Sequence, residues 1–177
     1  MVKPIIIIVG AIPVIFALLI GISLISQPEI PFSAANPNDK IEIEYTKHQL
    51  KEVSFGVAER VGAQKSEILS IQNNGDARYT VTEEGVTKPD KHSTLDEAKM
   101  KKLTALIKET GFISIPSESF PVNDNVTEYQ KSSLKITLNG EVKQIHWPEQ
   151  NATSKFVPPI ITMVEAELDL VISQLIE

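Results

Sequence analysis

The chain has no cysteine. That removes disulfide stapling, thiol nucleophiles, thiolate metal ligation and an acylated N-terminal cysteine. Any folded part must be held by its core alone. Histidine is scarce too, with three residues, His48, His92 and His146, and none lies at metal-ligand spacing from another. Positive charge is in deficit, 17 Lys and Arg against 23 Asp and Glu. A net charge of −6 argues against nucleic acid and anionic lipid as partners. Glycine-rich phosphate loops are missing, no serine sits in a Gly-x-Ser-x-Gly turn, and Ser132-Ser133-Leu134-Lys135 lacks the elements that accompany a Ser-x-x-Lys nucleophile.

What the chain does have is a run of 21 uncharged, mostly aliphatic residues from Ile5 to Ile25. As a helix it would be roughly 30 Å long, the thickness of a bilayer's hydrocarbon core. Gly10, Pro13, Gly21 and Ser23 interrupt it, as spanning helices tolerate. Lys3 precedes the run, whereas the chain after it opens with Glu29 and meets no lysine until Lys40. This asymmetry places residues 1–4 in the cytoplasm, residues 5–25 in the membrane as a single-pass anchor, and the rest outside the cell membrane. A cleaved signal peptide is the rival reading, but its apolar region is normally shorter. Ser33-Ala34-Ala35 has suitable small residues and lies well past the run. Both readings put the remainder on the same side.

Residues 26–50 carry Pro28, Pro31 and Pro37 among small polar residues and read as an extended stalk. Within it, Ile41 to Tyr45 alternates apolar and polar, as an edge strand would. Residues 51–177 are the expected outer domain. Val53, Phe55 and Val57 recur with the two-residue period of a strand. Glu67 to Gln72 and Ala77 to Thr82 flank Asn73-Asn74-Gly75-Asp76, a hairpin signal. A two-residue Asn74-Gly75 loop would set Gln72 opposite Ala77 and Ile68 opposite Val81, with Ile68, Tyr79 and Val81 on one face. Leu69 and Ile71 would line the other, itself partly covered.

Helical spacing follows Ser93-Thr94, either of which has an acid three residues on, as in a capping box. Leu95, Ala98, Leu103, Leu106 and Ile107 form the stripe, and Gly111 ends it. Pro116 to Gln130 reads as the longest loop. The second hairpin turns at Asn139-Gly140, with Leu134 opposite Ile145 and Ile136 opposite Lys143. Pro158-Pro159 opens a final helix whose Ile160, Ile161, Val164, Leu168, Val171, Ile172 and Leu175 face inward while Glu165, Glu167 and Asp169 face mainly solvent. The expected fold is α+β: one antiparallel sheet of about five strands, in the order strand, hairpin, helix, hairpin, helix, with both helices on one face.

Chemistry-bearing constellations are few. Asp76, Asp90, Asp96, Asp124 and Glu128 sit at element ends, where turn and cap roles account for them, and no pair is specified at glycosidase separation. Asn123, Asp124, Asn125 and Glu128 crowd oxygen ligands into one loop but lack the twelve-residue calcium pattern and its central glycine. Two N-glycosylation acceptors match, Asn125-Val126-Thr127 and Asn151-Ala152-Thr153, both in expected surface loops.

The sequence of Met1-Val2-Lys3-Pro4, isoleucine-rich run, Pro/Asn stalk and Asn-Gly-turned domain resembles the small membrane-anchored extracytoplasmic proteins of ammonia-oxidising archaea. The resemblance implies an anchored outer domain and carries no functional residue with it. The reading is therefore a tethered binding, accessory or envelope-structural domain, with no catalytic residue, cofactor or metal expected and with another membrane or envelope protein as partner. The alternative is an anchored hydrolase, whose site would have to gather distant residues such as His146 with Glu128 or Asp124.

Overall fold

The computed structural model describes residues 35–55, 58–116 and 120–177. The Ile5–Ile25 run lies outside them, and no helix among the described residues is long and apolar enough to cross a membrane. The fold is α+β, with one antiparallel sheet of seven strands rather than about five. In chain order the strands are β1 (Ile41–Phe55), β2 (Ala58–Ile71), β3 (Asp76–Glu83), β4 (Val86–Thr87), β5 (Lys91–Thr94), β6 (Glu128–Leu138) and β7 (Glu141–Pro148). Among the described residues the α-helices are α1 (Glu97–Glu109) and α2 (Pro159–Ile176). The spatial order is β4-β3-β2-β1-β6-β7, with β5 beside β4 on the same edge of β3.

The alternating segment at Ile41 to Tyr45 is neither stalk nor edge. It opens β1, a 15-residue strand at the centre of the sheet, hydrogen-bonded to β2 on one side and β6 on the other. Ile41, Ile43 and Tyr45 are buried while Glu42 and Glu44 are exposed, so the period of two divides a core face from an open face. The chain's entry into β1 is tied down by side chains. Asn73 Oδ1 accepts from the Ile41 N–H at 3.0 Å, and Asn139 Oδ1 accepts from Lys40 N–H at 2.9 Å. Asp39 accepts from Asn139 and from the Lys108 ammonium on α1, both at 2.8 Å. Burial alone would raise the Asp39 pKa, but these donors outweigh it and hold the carboxyl below its ordinary range.

The β2–β3 register differs from the expected one by a residue. Ile71 lies opposite Ala77, Leu69 opposite Tyr79, and Ile68 opposite Thr80. The Gln72 N–H donates to Asp76 O, leaving a three-residue loop, Asn73-Asn74-Gly75, with Gly75 left-handed at φ 86°. This is a turn closed by a glycine bulge, and it uses Asn-Gly as readily as a two-residue turn does. Burial decides between them. The observed register sends Leu69 and Ile71, 0% and 1% exposed, into the core and leaves Ile68 38% exposed. A one-residue slip would reverse that at a cost of roughly 1.5–3 kcal/mol for each large aliphatic side chain turned out.

The β6–β7 hairpin has the expected register, with Leu134 opposite Ile145, Ile136 opposite Lys143, and a two-residue Asn139-Gly140 turn in which both residues have positive φ. Glu84-Gly85 makes a second turn of this kind between β3 and β4, which the sequence reading missed along with β5. Ser93 and Thr94 belong to β5, so the cap of α1 is Asp96 instead, whose carboxylate accepts from Lys99 N–H at 2.7 Å. The helix stops at Thr110, followed by Gly111 at φ 65°, and Phe112 drops fully into the core. On α2 the buried stripe is Ile161, Val164, Leu168, Val171, Ile172 and Leu175, with Pro159 in the first turn. The two helices lie side by side, tied by Lys99 to Gln174 and Lys102 to Glu167, each at 2.7 Å.

Gly75 tests the loop geometry directly. A Cβ there would sit 2.6 Å from the Leu95 carbonyl oxygen, whereas one on Gly85, at similar φ, meets nothing within 4 Å. Gly85→Ala should cost only the left-handed penalty of about 1–2 kcal/mol. Gly75→Ala should cost clearly more in urea unfolding, and equal losses would contradict the close approach.

Candidate functional site

On the core face, an apolar end formed by Ile41, Ile43, Ile71, Leu134 and Ile136 gives way to a polar end. Tyr45 Oη donates to Glu165 Oε1 at 2.8 Å, Ser132 Oγ donates to the same oxygen at 3.0 Å, and Trp147 Nε1 reaches Oε2 at 3.4 Å. One carboxylate of α2 thus gathers donors from β1, β6 and β7. One helical turn on, Asp169 pairs with Lys47 at 2.8 Å, and the lysine side chain is only 15% exposed. On β2, Glu67 accepts from Tyr79 Oη and pairs with Lys65 at 3.0 Å. Burial, then the neighbouring carboxylates, push both tyrosine phenols above their ordinary range: Glu165 acts on Tyr45, and Glu67 on Tyr79. Burial would raise Glu67, yet the bonds from Tyr79 and Lys65 outweigh it and leave its pKa lowered. Among the described residues no buried polar side-chain atom lacks a partner. The network is closed, so its chemistry is that of a clasp holding α2 on the sheet.

Glu165 was expected to face solvent. Its spacing held the contrary signal, since it follows Ile161 by four residues and precedes Leu168 by three, in line with the buried stripe.

The opposite face of the sheet is open and polar. Across it runs a row in direct register: His92 on β5, Arg78 on β3, Ser70 on β2, Glu44 on β1, Lys135 on β6 and Gln144 on β7. Two adjoining depressions lie along this row and share Ser70 and Gln72. One, of about 500 Å³, includes Asp76, Arg78, His92 and Thr94, and the other, of about 310 Å³, includes Glu42, Glu44, Lys135 and Thr137. Such a surface offers alternating charge and hydroxyls, suited to hydrogen bonding with a polar partner.

The three histidines also project from the open face, on β1, β5 and β7, so the sheet separates them. His48 Nδ1 lies 2.8 Å from Ser66 Oγ, and burial, helped by Lys131, lowers its pKa. This is the nearest thing to a base–nucleophile pair. Neither His146 nor His48 is joined to a carboxylate by a hydrogen bond among the described residues. Asp96 caps α1, a cap role expected of a loop acid, whereas Asp90 accepts from the Thr80 hydroxyl on β3 at 2.7 Å. In the crowded loop, Asn123 Oδ1 accepts from Ser154 N–H at 3.1 Å, and no group of three or more His, Asp or Glu among the described residues could hold a metal ion. Asn125 and Asn151 are both exposed.

No protein-family model matches the chain, and no curated protein is similar to it.

Removing the hub of the clasp should be expensive. Glu165→Ala leaves three donors without their acceptor and should cost roughly 2–4 kcal/mol. Glu167→Ala breaks only the pair with Lys102, which should matter by about 0–1 kcal/mol. Chemical denaturation of both variants checks this ranking.

Proposed function

We infer that the chain is a membrane-tethered extracytoplasmic binding or accessory domain that presents the open face of its sheet to another membrane or envelope protein. The observation that carries the reading is the uncovered polar row from His92 to Gln144 with its two adjoining depressions. Helix α2 closes the polar end of the core face through Glu165, so the other face is where a partner would find donors and acceptors still open to solvent. The uncharged Ile5–Ile25 run supports the tether. Confinement at the membrane raises effective concentration, which lets a face of hydroxyls and single charges work with modest affinity.

An anchored hydrolase is the alternative, and it would have to begin at His48 and Ser66. A general base needs a third group to fix its ring, and no described carboxylate does this for His48. The binding reading requires no such missing part.

Crosslinking and affinity capture from native membranes tests it, using the full-length chain and a variant combining Arg78→Glu with Lys135→Glu. One partner should be recovered stoichiometrically with the natural chain and at roughly one tenth of that level or less with the charge reversal. Equal recovery with both, or recovery of nothing above an uncoupled control, would overturn the assignment of this face.

A further inference from the structure

The two glycosylation acceptors lie 26 residues apart in sequence, yet the fold joins their loops. Asn123 N–H donates to Ala152 O at 2.9 Å, and Asn123 Oδ1 accepts from Ser154 N–H at 3.1 Å. Within this shared region the two acceptors are held very differently. Asn125 lies at the centre of a turn closed by Val126 N–H to Asn123 O at 3.1 Å, and both Asn125 and Thr127 are exposed. Asn151 is exposed as well, but the rest of its motif is not. Ala152 is 1% exposed, with its N–H bonded to Glu149 O and its carbonyl to Asn123 N–H. Thr153 is 5% exposed, and its hydroxyl oxygen accepts from Lys155 N–H at 3.2 Å.

An oligosaccharyltransferase must reach the hydroxyl of the third residue as well as the asparagine amide. We propose that Asn125 is an N-glycosylation site of the folded domain and that the fold withholds Asn151 from the same reaction. The co-substrate is a polyprenyl-diphosphate-linked oligosaccharide. Asn125 Nδ2 forms a bond to the anomeric carbon, the bond from that carbon to the diphosphate oxygen breaks, polyprenyl diphosphate departs, and an amide proton passes to the transferase's base. Engaging Asn125 disturbs the turn hydrogen bond and the bond from Glu52 N–H to the Thr127 carbonyl at 2.7 Å, while the Asn125 and Thr127 side chains themselves are already exposed. Engaging Asn151 requires the Ala152 and Thr153 contacts to open first, which lowers the reactive population. Modification in the cell rests on the outer placement inferred above, whereas the difference between the two acceptors does not.

The test uses purified full-length protein in detergent micelles, a lipid-linked oligosaccharide, and a transferase preparation shown to modify unfolded peptides 121–129 and 149–157. Glycopeptide mass spectrometry should find Asn125 occupied and Asn151 modified at least roughly tenfold less. Thr127→Ala should abolish the Asn125 glycan. Equal or greater occupancy at Asn151, or an unmodified Asn125, would overturn the proposal. The same chain expressed in cells whose transferase works on the outer side separates the two claims. Modification in micelles with none in those cells would support the site and count against the outer placement.

Discussion

The register between β2 and β3 is the constraint on which the rest depends, chosen by burial of Leu69 and Ile71 and accommodated by a three-residue loop. Gly75 takes a left-handed conformation that leaves its Cα beside the Leu95 carbonyl, where no side chain fits. Because side chains alternate along a strand, that one choice sends Leu69, Ile71, Ala77 and Tyr79 to the core. It sends Ser70, Gln72 and Arg78 the other way, where they line the open-face depressions. The core face that receives α2 and the candidate binding face are thus two sides of one pairing.

On the core side, burial and hydrogen bonding divide the work. Apolar packing of Ile161, Val164 and Leu168 draws α2 onto the sheet without fixing its position along the strands. Glu165 adds the directional part, since an oxygen that accepts from both Tyr45 and Ser132 tolerates little sliding. Such a carboxylate is acceptable beneath a helix only because its donors are all present. The open side is the opposite, with singly charged side chains such as Arg78, Glu44 and Lys135 left exposed.

Much of this was legible in the residues. The stripe of α2 and the Asn139-Gly140 turn are read correctly because burial and turn chemistry point to the same answer there. Asn73-Asn74-Gly75 misleads because Asn-Gly suits both a two-residue and a three-residue loop, and only the core chooses between them. The short strands β4 and β5 carry no apolar period, as all of their residues are exposed. Ile41 to Tyr45 reads as stalk or edge strand because its charged Glu42 and Glu44 give no sign of the two neighbouring strands that flank it. For the candidate sites, the two acceptor motifs are visible in the sequence, but the burial of Thr153 belongs to the fold. The row from His92 to Gln144 draws on six strands and has no signature in any one of them.

Single-cysteine accessibility reads the β2 register directly, because the natural chain supplies no competing thiol. Ile68→Cys and Leu69→Cys would be made separately and their maleimide labelling rates compared under native conditions. The observed register predicts fast labelling at position 68 and labelling roughly a hundredfold slower or more at position 69, limited by local opening. A position 69 thiol that reacts as fast as, or faster than, one at position 68 would contradict the loop, the register and the open face together.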